Sequence, residues 1–166
     1  MSRDLARGRV ARPDSPETSL LFEVFALNQS VGRFLAEAMR AGPLTPAEYA
    51  VYSALFELES ATPTVLAARL GMRLTTFVDQ LRLMESRGHA RRMPNPRDGR
   101  SQLVTLTASG LEAHRTANRL FEAAYASFVG ELGADETHSR RALVGVREAV
   151  ERALALSPRR IGGRAG

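Results

Sequence analysis

The chain has no cysteine. Disulfides, thiolate zinc sites and cysteine-based redox sensing are therefore excluded. It has no lysine either, so every basic side chain other than histidine is arginine. A GC-rich genome would account for the missing lysines, but not for where the arginines cluster. No apolar run reaches the roughly 18 residues of a membrane span, and no membrane partner is expected. The stretch from Met1 to Pro16 carries Arg3, Arg7, Arg9 and Arg12 without an apolar segment. A secretory leader is not expected there, and the cytoplasm is the expected location.

What is present is enough for a packed core. The chain has 166 residues, 44% of them hydrophobic, and a formal charge of +5. Arginine suits phosphate recognition because its planar fork can bind two oxygens at once. Residues 1–15 read as a flexible basic arm and 157–166 as a flexible Gly- and Arg-rich tail. The expected fold is mainly α with one small β-hairpin.

Punctuation residues divide the remainder into elements. Ser15-Pro16-Glu17 predicts a helix start. Leu20, Leu21, Val24, Leu27, Val31, Phe34, Leu35 and Ala38 continue it with helical spacing until Gly42-Pro43. Thr45-Pro46-Ala47-Glu48 has the spacing of a capping box, with Val51, Tyr52, Leu55 and Phe56 as the apolar face. Thr62-Pro63 opens a short third helix through Val65, Leu66 and Leu70, ended by Gly71. A fourth helix follows at once, with Leu74, Phe77, Val78, Leu81 and Met84 inward, and stops at Gly88. Two helices joined by so short a turn match a helix-turn-helix. His89 to Met93 and Gln102 to Leu106 predict a hairpin with its tip at 94–101, shaped by Pro94, Pro96 and Gly99. Thr107 caps a fifth helix reaching about Gly130 through Leu111, Leu120, Phe121, Ala124, Phe128 and Val129. Asp135 starts a sixth helix through Leu143, Val146, Val150 and Leu154.

Two regions carry candidate chemistry. The outer face of the fourth helix holds Arg73, Thr75, Thr76, Asp79, Gln80 and Arg82. Thr76 and Gln80 lie one turn apart and could reach base edges together, while Arg73 and Arg82 could hold phosphates. A solvated polar face would look the same. The hairpin is more specific: Arg91, Arg92, Arg97 and Arg100 fall within ten residues. Such a loop suits the narrow minor groove, where negative potential favours guanidinium. Asp98 is placed to orient Arg100 by a salt bridge.

These pieces resemble the MarR family of bacterial regulators. The resemblance rests on Leu66-Ala-Ala-Arg-Leu-Gly71, Thr75-Thr76, Glu85-Ser-Arg-Gly88, Arg97-Asp98-Gly99-Arg100 and Leu106-Thr-Ala-Ser-Gly110, in that order and spacing. Asp98-Gly99-Arg100 stands where the family carries Asp-x-Arg. The resemblance covers about residues 18–156. It implies a winged helix-turn-helix domain over 16–156, with a DNA-binding lobe at about 45–107. Dimerisation helices are implied at about 16–41, 107–130 and 135–156. It further implies a homodimeric, ligand-responsive repressor on a pseudo-palindromic operator, read by the fourth helix, with Arg100 in the minor groove. Double-stranded DNA and a small aromatic or anionic effector are the implied partners, and the bacterial nucleoid the implied place. An effector cavity is implied between the dimerisation helices and the DNA-binding lobe. Phe25, Phe34, Tyr52, Phe121 and Tyr125 are candidates for its walls and Arg33 for an anion anchor. Ordinary core packing accounts for the same aromatics.

Asp79 and His89 depart from the family pattern. An acid at 79 can accept from cytosine N4 or pair with Arg82 or Arg100. His89 stands where an aliphatic is common. His89, His114 and His138 share no metal-site spacing, and no P-loop, GxGxxG or nucleophile elbow occurs. No catalytic residue, cofactor or metal is expected, and the protein is read as a non-enzyme. A competing reading is a winged-helix architectural or protein-interaction module, since fold alone does not fix function.

Overall fold

The computed structural model describes residues 19–133 and 135–156. The predicted arm, the tail and the helix start at Ser15-Pro16 lie outside these. The elements run α1 (Leu20–Ala38), α2 (Pro46–Leu58), α3 (Pro63–Arg69), α4 (Leu74–Ser86), β1 (Ala90–Pro94), β2 (Gln102–Leu106), α5 (Ala108–Leu132) and α6 (Glu136–Leu156). The chain divides into two compact units, Met1–Ala124 and Tyr125–Gly166, so the boundary falls within α5.

In the first unit the caps act as their sequence dictates. Thr45 closes a reciprocal capping box on α2: its backbone N–H donates to Glu48 Oε2 at 2.8 Å, and Glu48 N–H donates to its hydroxyl. Thr62 accepts from Val65 N–H to start α3. Gly71 and Gly88 adopt left-handed backbone, φ +63° and +70°, which an L side chain resists. They set the two sharp turns on either side of α4. At α1, Ser19 holds the N-cap position in extended conformation.

The core gathers Met39, Leu44, Val51, Tyr52, Leu55, Leu66, Phe77, Leu81, Met84, Val104 and Leu106, closed by Ala113 and Ala117 of α5. Some apolar residues expected inward lie elsewhere. Phe56 is exposed and stacks on His114 at 4.7 Å. Leu74, in the first turn of α4, is exposed at the core's edge, and Val78 is half-buried. β1 and β2 pair antiparallel, Ala90 opposite Leu106 and Pro94 opposite Gln102. The tip therefore begins at Asn95, one residue later than expected. Ala61, just before α3, exchanges two backbone hydrogen bonds with Val104, adding a short third rung.

The α4–β1 junction is the most constrained point of this unit. Thr107 and Ser109 hydroxyls both donate to the Gly88 carbonyl, at 2.6 and 2.9 Å. Thr107 Oγ1 also accepts from Gly110 N–H, capping α5. Gly110 lies so close that a Cβ there would sit 2.0 Å from the His89 carbonyl oxygen. From the other side, Arg87 donates to Glu48 Oε1 at 2.7 Å, and Tyr52 Oη is hydrogen-bonded to His89 Nδ1 at 2.8 Å. Burial pushes the Glu48 carboxyl up, but hydrogen bonds from Thr45 and Arg87 outweigh it and hold it below the usual carboxylate range.

The second unit holds the end of α5 and α6. Asp135 caps α6 by accepting from Thr137 N–H at 2.8 Å. Tyr125 donates to Glu136 at 2.6 Å, and Arg140 pairs with the same carboxylate. No residue of α6 is buried, and Leu143 and Leu154 stand exposed.

Gly110→Ala has no room against backbone and is expected to cost at least about 2 kcal/mol. Denaturant unfolding reads it, and a loss under 0.5 kcal/mol (roughly the surface-substitution range) would contradict the close approach. Glu48→Gln is expected to destabilise by about 1–3 kcal/mol at neutral pH. A depressed folded pKa contributes stability above the unfolded value, lost as pH falls through the folded one. The gap between parent and Glu48→Gln should therefore close on acidification below the usual carboxylate range, and a pH-independent gap would refute an ionised Glu48.

Candidate nucleic-acid interface

The candidate residues on α4 and the hairpin all lie in the first unit. Arg73 occupies the N-cap of α4 in extended conformation. Thr75 and Thr76 are exposed on the first turn, while Gln80 is half-buried rather than fully exposed. Asp79 and Arg82 pair across one turn at 3.0 Å, both largely exposed. Of the partners left open for Asp79, Arg82 is the one it meets. That pairing removes net charge from the middle of the helix face and leaves Arg73 as the unpaired base at its N-terminal end.

The wing tip is shaped by side chain–backbone bonds within Asn95–Ser101. Asn95 Oδ1 accepts from Arg97 N–H at 3.0 Å, and Asn95 Nδ2 donates to Ser101 Oγ at 2.8 Å. Asp98 Oδ1 accepts from the backbone N–H of Arg100 at 3.1 Å. The expected Asp98–Arg100 salt bridge is not formed. A carboxylate two residues before an amide closes an Asx-type turn more easily than it reaches that residue's guanidinium. Asp98 thus orders the backbone that presents Arg100, not its side chain.

The six arginines divide into two groups. Arg82 and Arg92 are paired with Asp79 and Glu85. Arg73, Arg91, Arg97 and Arg100 are exposed and have no ion pair among the described residues. Four unpaired guanidiniums flank one helix and one hairpin, an arrangement that favours polyanion binding.

No family model matches the chain. The HTH-type transcriptional regulator TtmR of Methylorubrum extorquens (strain PA1) is 30% identical over 98 residues, 59% of this chain and 50% of that one. The chain thus spans about half the length of the curated relative it matches. Among solved structures, a mutant of MarR from E. coli complexed with operator DNA superimposes with a TM-score of 0.69 at 26% identity. That match covers 81% of this chain and 97% of MarR. The M. tuberculosis transcriptional regulator MOSR in complex with DNA gives 0.71 at 25% identity, covering 81% and 98%. The chain is similar in sequence and fold to these two DNA-bound regulators.

The five effector-cavity candidates of the first unit are not gathered into one site. Tyr52 is 0% exposed and sealed in the core, its hydroxyl occupied by His89. Phe121 packs on Tyr49 with ring centroids 4.9 Å apart. Phe25 and Phe34 are exposed on α1, where Arg33 donates to Ser30 at 3.4 Å. Tyr125 belongs to the other unit. Helical periodicity identifies the aromatic candidates as apolar positions but carries no information on which share a cavity.

A different cluster, missed from the sequence, does share one. Tyr49, Ser53 and Phe56 of α2 and His114, Arg115 and Asn118 of α5 line a cleft of about 300 Å³. His114 is buried between the Tyr49 and Phe56 rings and is hydrogen-bonded to Ser53 Oγ at 3.1 Å. Burial, and then the Arg115 charge, push its imidazole below the usual histidine range. The signal was available as Tyr49/Ser53/Phe56 spacing on one helix, but its partner face lies some 60 residues away in the chain.

If Asp98 acts on the wing backbone, Asp98→Asn, which keeps the acceptor oxygen, should leave amide hydrogen exchange at Arg100 within about twofold of the parent. Asp98→Ala should speed it by about tenfold, since breaking a hydrogen bond costs about 1–1.5 kcal/mol. Equal acceleration in both variants would show that the charge is what matters.

Proposed function

We propose that the chain is a sequence-specific DNA-binding regulator of transcription, acting as a homodimer on a pseudo-palindromic operator. The observation that carries this is the set of unpaired arginines, Arg73, Arg91, Arg97 and Arg100, around α4 and the wing. Two neighbours of the same fold, MarR and MOSR, are solved with DNA. Thr75, Thr76 and Gln80 are assigned to base edges, and Arg73, Arg91 and Arg97 to phosphates. Arg100 is assigned to the minor groove. Arg82, already paired with Asp79, contributes less than an unpaired arginine does.

The wing favours DNA over a protein partner. Its tip from Asn95 to Ser101 contains no large apolar side chain, whereas protein interfaces centre on aromatic and aliphatic anchors. Dimerisation is supported in each unit separately. No residue of α1 is buried, and Leu20, Leu21 and Phe25 are more than 60% exposed. α6 likewise buries none. Apolar faces of this kind call for a partner, and two-fold pairing sets recognition helices about 34 Å apart. We assign the protein to the cytoplasm, at the nucleoid, as a non-enzymatic repressor released by a small aromatic or anionic ligand. No helix among the described residues is long and apolar enough to cross a membrane. With no cysteine to oxidise, ligand binding is favoured over thiol oxidation as the switch.

Arg100→Ala should weaken binding to cognate and scrambled DNA together. It should also make the salt dependence shallower, by about 0.9 in slope for each phosphate no longer neutralised. Thr76→Ala or Gln80→Ala should instead cost discrimination, about 1–3 kcal/mol per base contact. Gln80→Ala should also lower stability slightly, because Gln80 is half-buried. Binding isotherms across a salt series, with circular dichroism as the folding control, distinguish these. Unchanged binding of both DNAs by Arg100→Ala at every salt concentration would refute the wing's role.

A further inference from the structure

Resting on the DNA-binding reading above, we propose that Arg92 is a positioning residue: its ion pair with Glu85 fixes the wing's angle to α4 and so sets operator discrimination. Composition groups Arg92 with its neighbours as one more phosphate ligand, but the geometry separates it. Arg92 Nε donates to Glu85 Oε1 at 2.7 Å, and its Nη2 to Glu85 Oε2 at 3.4 Å. This is a two-pronged contact, which fixes orientation as well as distance.

The strand pattern explains why Arg92 and not Arg91 is used. Arg92 lies two residues from Ala90, which is buried, and opposite Val104, which is fully buried. Opposite residues of an antiparallel pair project to the same face. Arg92 therefore stands on the face of the hairpin that packs on the domain, beside the last turn of α4 where Glu85 lies. Arg91 projects from the opposite face and is exposed without an ion pair. About a third of each side chain in the pair remains accessible, 34% for Arg92 and 29% for Glu85.

The chain passes from α4 to the hairpin through the single turn at Gly88, so a rigid link further along β1 decides how the tip is aimed. A two-point grip, at the turn and at Arg92, leaves the wing and the helix facing DNA as one body. With the grip released, Arg97 and Arg100 still bind phosphates, but no longer at a fixed distance from the bases that α4 reads.

Glu85 provides the test, because the two roles predict opposite signs for it. Glu85→Gln, Arg92→Gln and the double variant are compared with the parent as full chains. The probes are a duplex selected from a random library by the parent and a scrambled duplex of the same composition, each across a salt series. A positioning role predicts that Glu85→Gln lowers the ratio of selected to scrambled affinity by up to about fivefold, the scale of a partly exposed pair. Arg92→Gln should do the same with an unchanged salt slope, and the double variant should be no worse than either single. Amide exchange in β1 and β2, measured without DNA, should quicken in all three. If Glu85→Gln tightens binding to both duplexes while Arg92→Gln makes the slope shallower by about 0.9 per subunit, Arg92 is a phosphate ligand and the proposal is overturned. If exchange quickens but the parent selects no duplex, the ion pair exists while the DNA-binding reading fails, and its role in discrimination falls with that reading.

Discussion

The carbonyl groups of Gly88 and His89 sit where the end of α4, the start of β1 and the first turn of α5 converge. Thr107 and Ser109 bond the first carbonyl, and Gly110 lies against the second with no room for a side chain. A backbone turn with φ +70° at Gly88 makes the convergence possible. Apolar residues at 107 and 109 would lose both bonds to this carbonyl and the cap on α5. From the opposite side Arg87 and His89 are held by Glu48 and Tyr52 of α2. Three helices and the wing are thereby referred to one short stretch of backbone. The proposed recognition surface inherits its precision from this point and from the Glu85–Arg92 pair further along β1.

This arrangement explains residues that a family pattern only registers. The motif Leu106-Thr-Ala-Ser-Gly110 is a cap and a close approach in one: Thr107 starts α5 while fastening Gly88, and Gly110 makes space for the neighbouring strand. His89, a departure from the pattern that the sequence resembles, keeps its place by hydrogen-bonding a buried tyrosine. An aliphatic there would leave the Tyr52 hydroxyl to find another partner, so the departure is matched by its surroundings.

Local chemistry was legible in the sequence where the signal itself is local. The Thr45–Glu48 capping box, the left-handed glycines, the Asp135 cap and the pairing of β2 all follow from spacing within a few residues. Side-chain partners over longer separations were not legible. Arg92 and Arg91 are identical in sequence terms, and only the strand's packing face assigns Arg92 to Glu85. Asp98 and Arg100 read as an ion pair but meet through the backbone, because the turn occupies the carboxylate. The aromatic residues were recognisable as apolar positions, yet Tyr52 is core while Tyr49 and Phe56 border a cleft with His114. Separation by tens of residues hides such pairings from periodicity.

In the proposed complex, two copies of this chain place α4 in the major groove and the wing in the adjacent minor groove. A hydroxyl-radical and base-methylation footprint of the parent on its selected duplex tests this directly. Two equivalent protected half-sites are expected about one helical turn apart, each with major-groove protection flanked by minor-groove protection. The minor-groove protections should disappear with Arg100→Ala while the major-groove ones remain. A single half-site, or uniform protection that follows length and not sequence, would contradict it.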